Sequence, residues 1–309
     1  MIRYIIKRML LMLLVALGVV LFVFIVSRAG GDPVATILGD QYTQEEYDTL
    51  YHDLGFDQPY VVQFFNYISQ ILHGDLGTSY ISKASVAKEI TMRFPISIRI
   101  AVFSMLFSVP IGLIIGLISA IKQNTTWDYV LNGSALLLNA IPGFWAALMM
   151  MLLFSLKLNL LPATGLDTWK GYILPCIAVG LHPMTYMARL SRSSFLEVIN
   201  QDYIRTARSK GLRERAVIFK HALPNAAIPV ITQISNNFAI VVGSSAVIEN
   251  IFMVPGVGNY LAYSITVHDY PSVQGAVLFF SIFVSLVNLV VDILYAFVDP
   301  RIKANYVGR

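Results

Sequence analysis

Six apolar stretches organise the chain. They are Met9–Ser27, Ile100–Ile121, Tyr129–Leu156, Gly171–Ala188, Ala222–Ile248 and Tyr270–Val291, none of which contains Lys, Arg, Asp or Glu within those limits; the last runs on past Asp292 to about Val298. Each is near the roughly 20 residues that an α-helix needs to cross a bilayer. In hydrocarbon the backbone must satisfy its own polar groups, so the spans are expected to be helices. The pattern therefore predicts an all-α integral membrane protein with six transmembrane helices. The first stretch follows Arg3, Lys7 and Arg8. Its apolar core is longer than that of a secretory signal, so it reads as an uncleaved span.

The polar intervals set an orientation. With the N terminus inside, one side receives Arg3, Lys7, Arg8 and Lys122, then a cluster running from Arg189 to Lys220, then Arg301, Lys303 and Arg309. The opposite side receives Lys83, Lys88, Arg93, Lys157 and Lys170, and no Lys or Arg occurs from His221 to Pro300. The positive-inside rule then predicts that both termini are cytoplasmic. The expected division is a tail and first span (1–28), an external helical segment (29–95) and a core of five further spans (96–309) with a cytoplasmic loop at 189–224.

The external segment carries its own helix signals. Thr43-Gln44-Glu45-Glu46 fits a capping box, followed by Tyr47, Leu50, Tyr51 and Leu54 at helical spacing and a stop at Gly55. Asp57-Gln58-Pro59 opens a second helix with an expected apolar face of Tyr60, Phe64, Ile68, Ile71 and Leu72, ended by His73-Gly74. The segment is acidic. It reads either as a small cap on the span ends or as a docking surface in which Glu45, Glu46 and Asp48 take part.

Composition agrees with the pattern: hydrophobic residues make up 56% and charged residues 13% of the 309. A formal charge of +4, localised as above, does not imply a nucleic-acid partner. The single cysteine, Cys176, lies in an apolar stretch and reads as a small buried hydrophobe. There is no phosphate-binding Gly-rich loop, no His-Glu-x-x-His pair and no nucleophile elbow. The five histidines are scattered, so no metal site and no catalytic residue is expected.

Two features inside the spans bear on transport. Pro142-Gly143, then Pro175, Gly180 and Pro183, then Pro224 and Pro229 are expected to interrupt the third, fourth and fifth spans. Asn139, Gln233, Ser235, Asn236 and Asn237 are candidates for lining a path, with interhelical hydrogen bonding as the plainer role. Asp292 is the acidic residue most nearly enclosed by a span; it either serves the path or pairs with Arg301 or Lys303.

The loop after the fourth span is the most specific element. Asn200 or Asp202 is positioned to cap a short helix, Tyr203, Ile204 and Ala207 form its apolar face, and Gly211 supplies a left-handed stop. Pro224 then opens the next span, where a missing N–H costs little.

These residues resemble the cytoplasmic loop of binding-protein-dependent ABC transporter permeases: Ala207, Gly211, Leu223 and Pro224 fall on that pattern, whereas Arg205, Thr206 and His221 depart from it. Tyr203 to Gly211 is similar to the dipeptide/oligopeptide/nickel branch. So are Tyr4 to Arg8, Gly31-Asp32-Pro33, Leu54 to Pro59, Gly74 to Gly77, Leu160-Leu161-Pro162, Glu249 to Gly258, Asp269-Tyr270-Pro271 and Asn288 to Tyr295. The resemblance implies an importer subunit of the bacterial cytoplasmic membrane. A second homologous permease would share the path, and two ABC ATPase subunits would bind ATP and Mg; this chain would hold no cofactor. An extracytoplasmic substrate-binding protein would dock outside, with lipid as the surrounding solvent. Asp202, Tyr203, Ile204, Arg205, Thr206, Ala207, Arg208, Lys210, Gly211 and Leu212 would form the helix that seats on an ATPase. Peptides are the expected substrate; nickel, its chelates and glutathione-like compounds are alternatives within the family. An ion-coupled secondary transporter or a membrane scaffold would not need this module.

Overall fold

The computed structural model describes residues 2–39 and 41–298. Among these residues the secondary structure is helical apart from an isolated bridge between Thr78 and Ser85. The chain divides into two compact units, Met1–Ser97 with Pro255–Arg309, and Ile98–Val254.

In the first unit, α1 (Ile2–Ala29) packs along α13 (Tyr270–Val298). Between them in sequence come α2 (Pro33–Leu38), α3 (Gln44–Asp53), α4 (Tyr60–Leu72) and the start of α5 (Val86–Ile121); α12 (Val257–Thr266) precedes α13. The capping box at Thr43 forms as the sequence predicts: the Thr43 Oγ1 accepts from the Glu46 N–H, and a Glu46 carboxylate oxygen accepts from the Thr43 N–H at 2.8 Å. Asp32 caps α2 and also accepts from the Tyr47 hydroxyl at 2.7 Å, which ties α3 to α2. Gly55 stops α3 with φ +68°. On α4, Phe64 meets Phe24 of α1 edge to face at 5.3 Å, while Tyr60 and Leu72, expected on the apolar face, are exposed. Both stand at the ends of the helix. Asp269 is buried at the head of α13 and accepts from the Ser79 and Ser272 hydroxyls and the Tyr80 N–H, so a carboxylate is fully hydrogen-bonded where the 79–80 loop meets α13.

The second unit holds the rest of α5, then α6 (Thr126–Ala140), α7 (Gly143–Met150), α8 (Ile173–Ile199), α9 (Asp202–Ser209), α10 (Glu214–Ala216) and α11 (Leu223–Ile251). π-helical turns follow α7 at Met151–Lys157 and precede α11 at Val217–Ala222. Pro142-Gly143 breaks the third span as expected: Ile141 is extended, as a residue before proline must be, and the two helices meet at 99°. The fourth span differs from expectation. Pro175 lies in the first turn of α8, and the helix runs on through Gly180 and Pro183 without a break. In the fifth, Pro224 sits in the first turn of α11 and Pro229 inside it, and the 47° bend separates Glu214–Phe238 from Ile240–Ile251, nearly three turns beyond Pro229.

Among the described residues three helices are long and apolar enough to cross a membrane, Arg8–Arg28, Val86–Ile121 and Tyr270–Val290, and the two bent pairs raise the number to five. The remaining stretch, Gly171–Ala188, lies mostly in α8. That helix is long enough, at 27 residues, but carries His182, Thr185, Arg189 and Arg192. It is wrapped by protein: α6, α7 and α11 all pack on it. A helix solvated by other helices need not match the apolarity of one solvated by lipid.

The tightest contact in this unit is between α5 and α8. At Gly112 a Cβ would lie 2.5 Å from the Met184 carbonyl oxygen, and at Gly116 it would collide with Ser191 Oγ and the Ala188 carbonyl oxygen. At Gly180 it would lie 3.0 Å from the Ser104 carbonyl oxygen. Ser104, Ser108, Gly112, Gly116 and Ala120 recur every four residues on α5, so one face of the helix is small throughout. Close backbone approach then substitutes for the hydrophobic drive that lipid does not provide.

An ion pair locks the same two helices to α6. Arg192 donates from Nε and Nη2 to the two carboxylate oxygens of Asp128, each at 2.8 Å, and Ser119 and the Asn124 N–H also bond that carboxylate. Asp128 is buried, and the Arg192 hydrogen bond holds its carboxyl well below the usual carboxylate range. The pair's contribution is therefore complete at neutral pH and is lost as pH falls below that range.

Two predictions follow from these contacts. Gly116→Val should abolish recovery of folded protein on size-exclusion chromatography after detergent extraction, because the obstructing atoms include backbone. Gly133→Ala, where no atom lies within 4 Å of a Cβ, should leave recovery unchanged. Asp128→Asn should destabilise the protein by roughly 2–4 kcal/mol, below the full cost of an orphaned buried charge because Arg192 is partly exposed. In a detergent melt, the gap between wild type and this variant should narrow below about pH 4; a gap independent of pH would contradict the charge assignment.

Candidate functional site

The loop 189–224 folds as an anchored hook. α9 is eight residues long, and its N-cap is Gln201, with extended backbone and no side-chain bond; Asn200, expected as a cap, instead donates to the Leu196 carbonyl oxygen at 2.8 Å. Asp202 occupies the first turn, where a negative charge favours the helix dipole. The stop is as predicted: Gly211 has φ +75° and its N–H donates to the Arg208 carbonyl oxygen at 2.9 Å.

The helix has two sharply different faces. Ile204 is completely buried and Ala207 nearly so, in a cluster with Ala120 of α5, Phe195 of α8, Val217, Ile218 and Ala222, and Ala226 of α11. Burying the Ile204 side chain contributes about 1.5–3 kcal/mol, so the helix is seated on the ends of three long helices. Tyr203, expected on the buried face, is 44% exposed, and Leu212 is 41% exposed. Position 203 lies about 100° around the helix from 204, which carries it off the cluster. The outward face thus presents Asp202, Tyr203, Arg205, Thr206, Lys210 and Leu212. Arg205 lies 3.7 Å from Asp202, and Arg208 pairs with Glu214 at 2.7 Å. That pair raises the Arg208 pKa and lowers that of Glu214, bracing the turn after Gly211. No atom lies within 4 Å of the place a Gly211 Cβ would take, so the surface there is open.

Two of the candidate path residues converge. Asn139 and Asn237 line one cavity of about 480 Å³ in the second unit, together with His182, Tyr186 and Ser244 and apolar side chains of α7, α8 and α11. Thr185 Oγ1 donates to Asn139 Oδ1 at 3.2 Å, and Gln233 Nε2 donates to Asn237 Oδ1 at 3.4 Å, so Gln233 supports the site without lining it. Asn236 is exposed and does not line the cavity. The side chains of Ser235 and Asp292 lie outside the described residues. His182 and Tyr186 stand one turn apart on α8, but no local signal brings them to Asn139; that meeting depends on the packing of α6 on α8.

The acidic candidates on α3 differ in freedom. Glu46 is committed to the capping box, whose hydrogen bonds from Thr43 lower its pKa. Asp48 accepts from Gln44 Nε2 at 2.9 Å, and the Glu45 side chain is exposed.

Comparison with known proteins bears on this geometry. The family described as the binding-protein-dependent transport system inner membrane component matches residues 112–304, and its N-terminal companion matches residues 1–101. The chain is 40% identical over 307 residues to the glutathione transport system permease protein GsiC of Salmonella choleraesuis, covering 98% of this chain and 99% of that protein. It is 40% identical over 304 residues to the protein of the same name from Pectobacterium atrosepticum, and 38% identical over 305 residues to that of Escherichia coli K12, with the same coverage. A crystal structure of an amino acid ABC transporter with histidines superposes with a TM-score of 0.51 at 14% identity, covering 71% of this chain and 96% of that one, which speaks for the fold alone. Matches that together take in both the N-terminal segment and the core, with whole-length relatives at this identity, place the chain in one family: it belongs to the binding-protein-dependent transport system inner membrane components, the ABC importer permeases that its loop resembles.

Proposed function

We propose that this chain is one of two homologous permease subunits of an importer for glutathione or similarly small peptides, driven by two ABC ATPase subunits and fed by an extracytoplasmic binding protein. The observation that carries the coupling role is α9: a helix with Ile204 and Ala207 buried against α5, α8 and α11 and an outward face of Asp202, Tyr203, Arg205, Thr206, Lys210 and Leu212. A push on that face moves the ends of three long helices together. In this reading the loop 189–224 and both termini are cytoplasmic, α8 is the sixth span, and ATP and Mg stay on the partner subunits. Segment 29–95 is external, and Glu45 and Asp48 meet the binding protein while Glu46 maintains the helix that carries them. The cavity at Asn139 and Asn237 belongs to the path.

The glutathione assignment is supported by relatives of that name that align over almost the whole chain. Peptide import is the broader reading and nickel the weaker one, since no relative cited above is named for the metal.

Coupling is tested at Gly211. Asparagine tolerates the left-handed conformation, so Gly211→Asn should keep uptake near wild type. Gly211→Trp adds bulk where the chain itself is open; it should leave the subunits assembled and ATP hydrolysis running while uptake falls at least tenfold. Unchanged uptake in Gly211→Trp would overturn the coupling role. The substrate is tested by uptake of labelled glutathione into a host that lacks its own importer and carries this permease with its partner subunits. Saturable, ATP-dependent accumulation is expected. Accumulation of labelled nickel or dialanine in its place would reassign the substrate, and uptake without ATP would overturn the importer.

A further inference from the structure

A cavity of about 570 Å³ lies in the first unit, walled by the end of α1, by α3 and α4, by the 76–83 loop and by the head of α13. It shares no residue with the cavity at Asn139 and Asn237. Its size suits a small molecule, for which sites run to roughly 300–1,000 Å³. Three charged residues line it; Asp53 and Lys83 are exposed, and Arg28 is partly buried.

Arg28 is a cation without a counter-ion. Its guanidinium lies over the Phe56 ring at 4.2 Å, yet it makes no hydrogen bond and no ion pair among the described residues. Nε is closed off from solvent, whereas the two terminal nitrogens are not, so those two reach open space. A guanidinium held partly out of water without an anion is costly. A carboxylate that takes two parallel N–H bonds from it relieves that cost.

The surroundings are fixed in advance. Gln63, 7% exposed, donates from Nε2 to the Phe56 and Gln58 carbonyl oxygens at 3.2 and 2.7 Å, which pins the loop that carries the aromatic plate. The hydroxyls of Tyr67 and Tyr80 also line the cavity, have no partner among the described residues and are not closed off. Burial raises both of their pKa values, so both stay neutral donors at neutral pH. One inner cation with neutral donors and apolar walls such as Leu54 and Leu76 suits an organic monoanion better than a phosphate dianion. A lipid phosphate is the plainer partner for an arginine at the end of a span, but this guanidinium is turned over Phe56, which lies between α3 and α4.

We propose that this cavity is a binding site for a small organic carboxylate, which accepts from the terminal nitrogens of Arg28 while its apolar part rests on Leu54 and Leu76. The inference does not depend on the cargo proposed above.

The test is equilibrium dialysis of tritiated N-acetylleucine against the purified permease–ATPase complex in phosphatidylcholine nanodiscs, without binding protein. Saturable binding is expected, displaced by the unlabelled acid and not by N-acetylleucinamide, which keeps the shape and loses the charge. Arg28→Gln should weaken binding by at least about tenfold, and Arg28→Lys, which keeps the charge but loses the fork, should weaken it less. Tyr80→Phe removes a hydroxyl that bonds nothing in the fold, so the protein should fold normally while binding weakens about threefold. Absence of saturable binding, equal displacement by the amide, or unchanged affinity in both Arg28→Gln and Tyr80→Phe would overturn the site. Displacement by an equal concentration of inorganic phosphate would overturn the carboxylate class. Loss of binding when phosphatidylglycerol replaces part of the phosphatidylcholine would give Arg28 to lipid and overturn the site as well.

Discussion

The close approach of α5 to α8 across Gly112, Gly116 and Gly180 is the constraint on which the second unit depends. With no Cβ in the way, the two backbones come near enough that Ser191 Oγ reaches the Gly112 carbonyl oxygen at 3.5 Å. In a lipid environment helices gain nothing by hiding apolar surface from one another, so shape must hold them. Arg192 follows one residue after Ser191 and so reaches Ser119 on α5 and Asp128 at the head of α6. A buried, bidentate pair adds direction to a contact that packing alone leaves free to slide. One turn further along α8, Phe195 joins the cluster that seats α9.

Seen from α9, this arrangement is a mounting for a short helix. The helix is too short to be stable alone; its order comes from Ile204 and Ala207 in a pocket made by the ends of α5, α8 and α11. Among the described residues the polar side chains on its other face make local bonds, Arg205 to Asp202, Thr206 to the Asp202 carbonyl oxygen and Arg208 to Glu214, which hold the shape of the hook without adding to its anchorage. The same α8 that carries this mounting also presents His182 and Tyr186 to the cavity that Asn139 and Asn237 line. The mounting of α9 and one wall of the cavity therefore share a single helix.

The first unit works by different means. Its helices outside the apolar stretches are short, and they are positioned by hydrogen bonds that end in buried or capping carboxylates: Asp32 under α2 and α3, Glu46 in the capping box, and Asp269 among Ser79, Tyr80 and Ser272. Arg28, at the end of α1, lies over the Phe56 ring at 4.2 Å and the Phe24 ring at 5.3 Å, so a cation near the end of an apolar helix is held by aromatic faces.

Local rules made much of this legible. The capping box at Thr43, the stops at Gly55 and Gly211, the break at Pro142 and the long apolar helices each depend on a few neighbouring residues, and each formed where the sequence placed it. What failed were statements that need a neighbour from elsewhere in the chain. Tyr203 looked apolar enough for the buried face, but the cluster it would join lies a third of a turn away. Pro183 looked like a break, but α8 runs on through it with α6, α7 and α11 packed around it. The α5 stripe of Ser104, Ser108, Gly112, Gly116 and Ala120 was not singled out from the sequence, because nothing local names α8 as its partner. Asp128 and Arg192 are 64 residues apart and Asn139 and Asn237 nearly 100, and such pairs exist only after folding. The sequence by itself determined the helices, their punctuation and the family. Tertiary structure alone decided which polar groups meet, because that depends on distances that no local periodicity encodes.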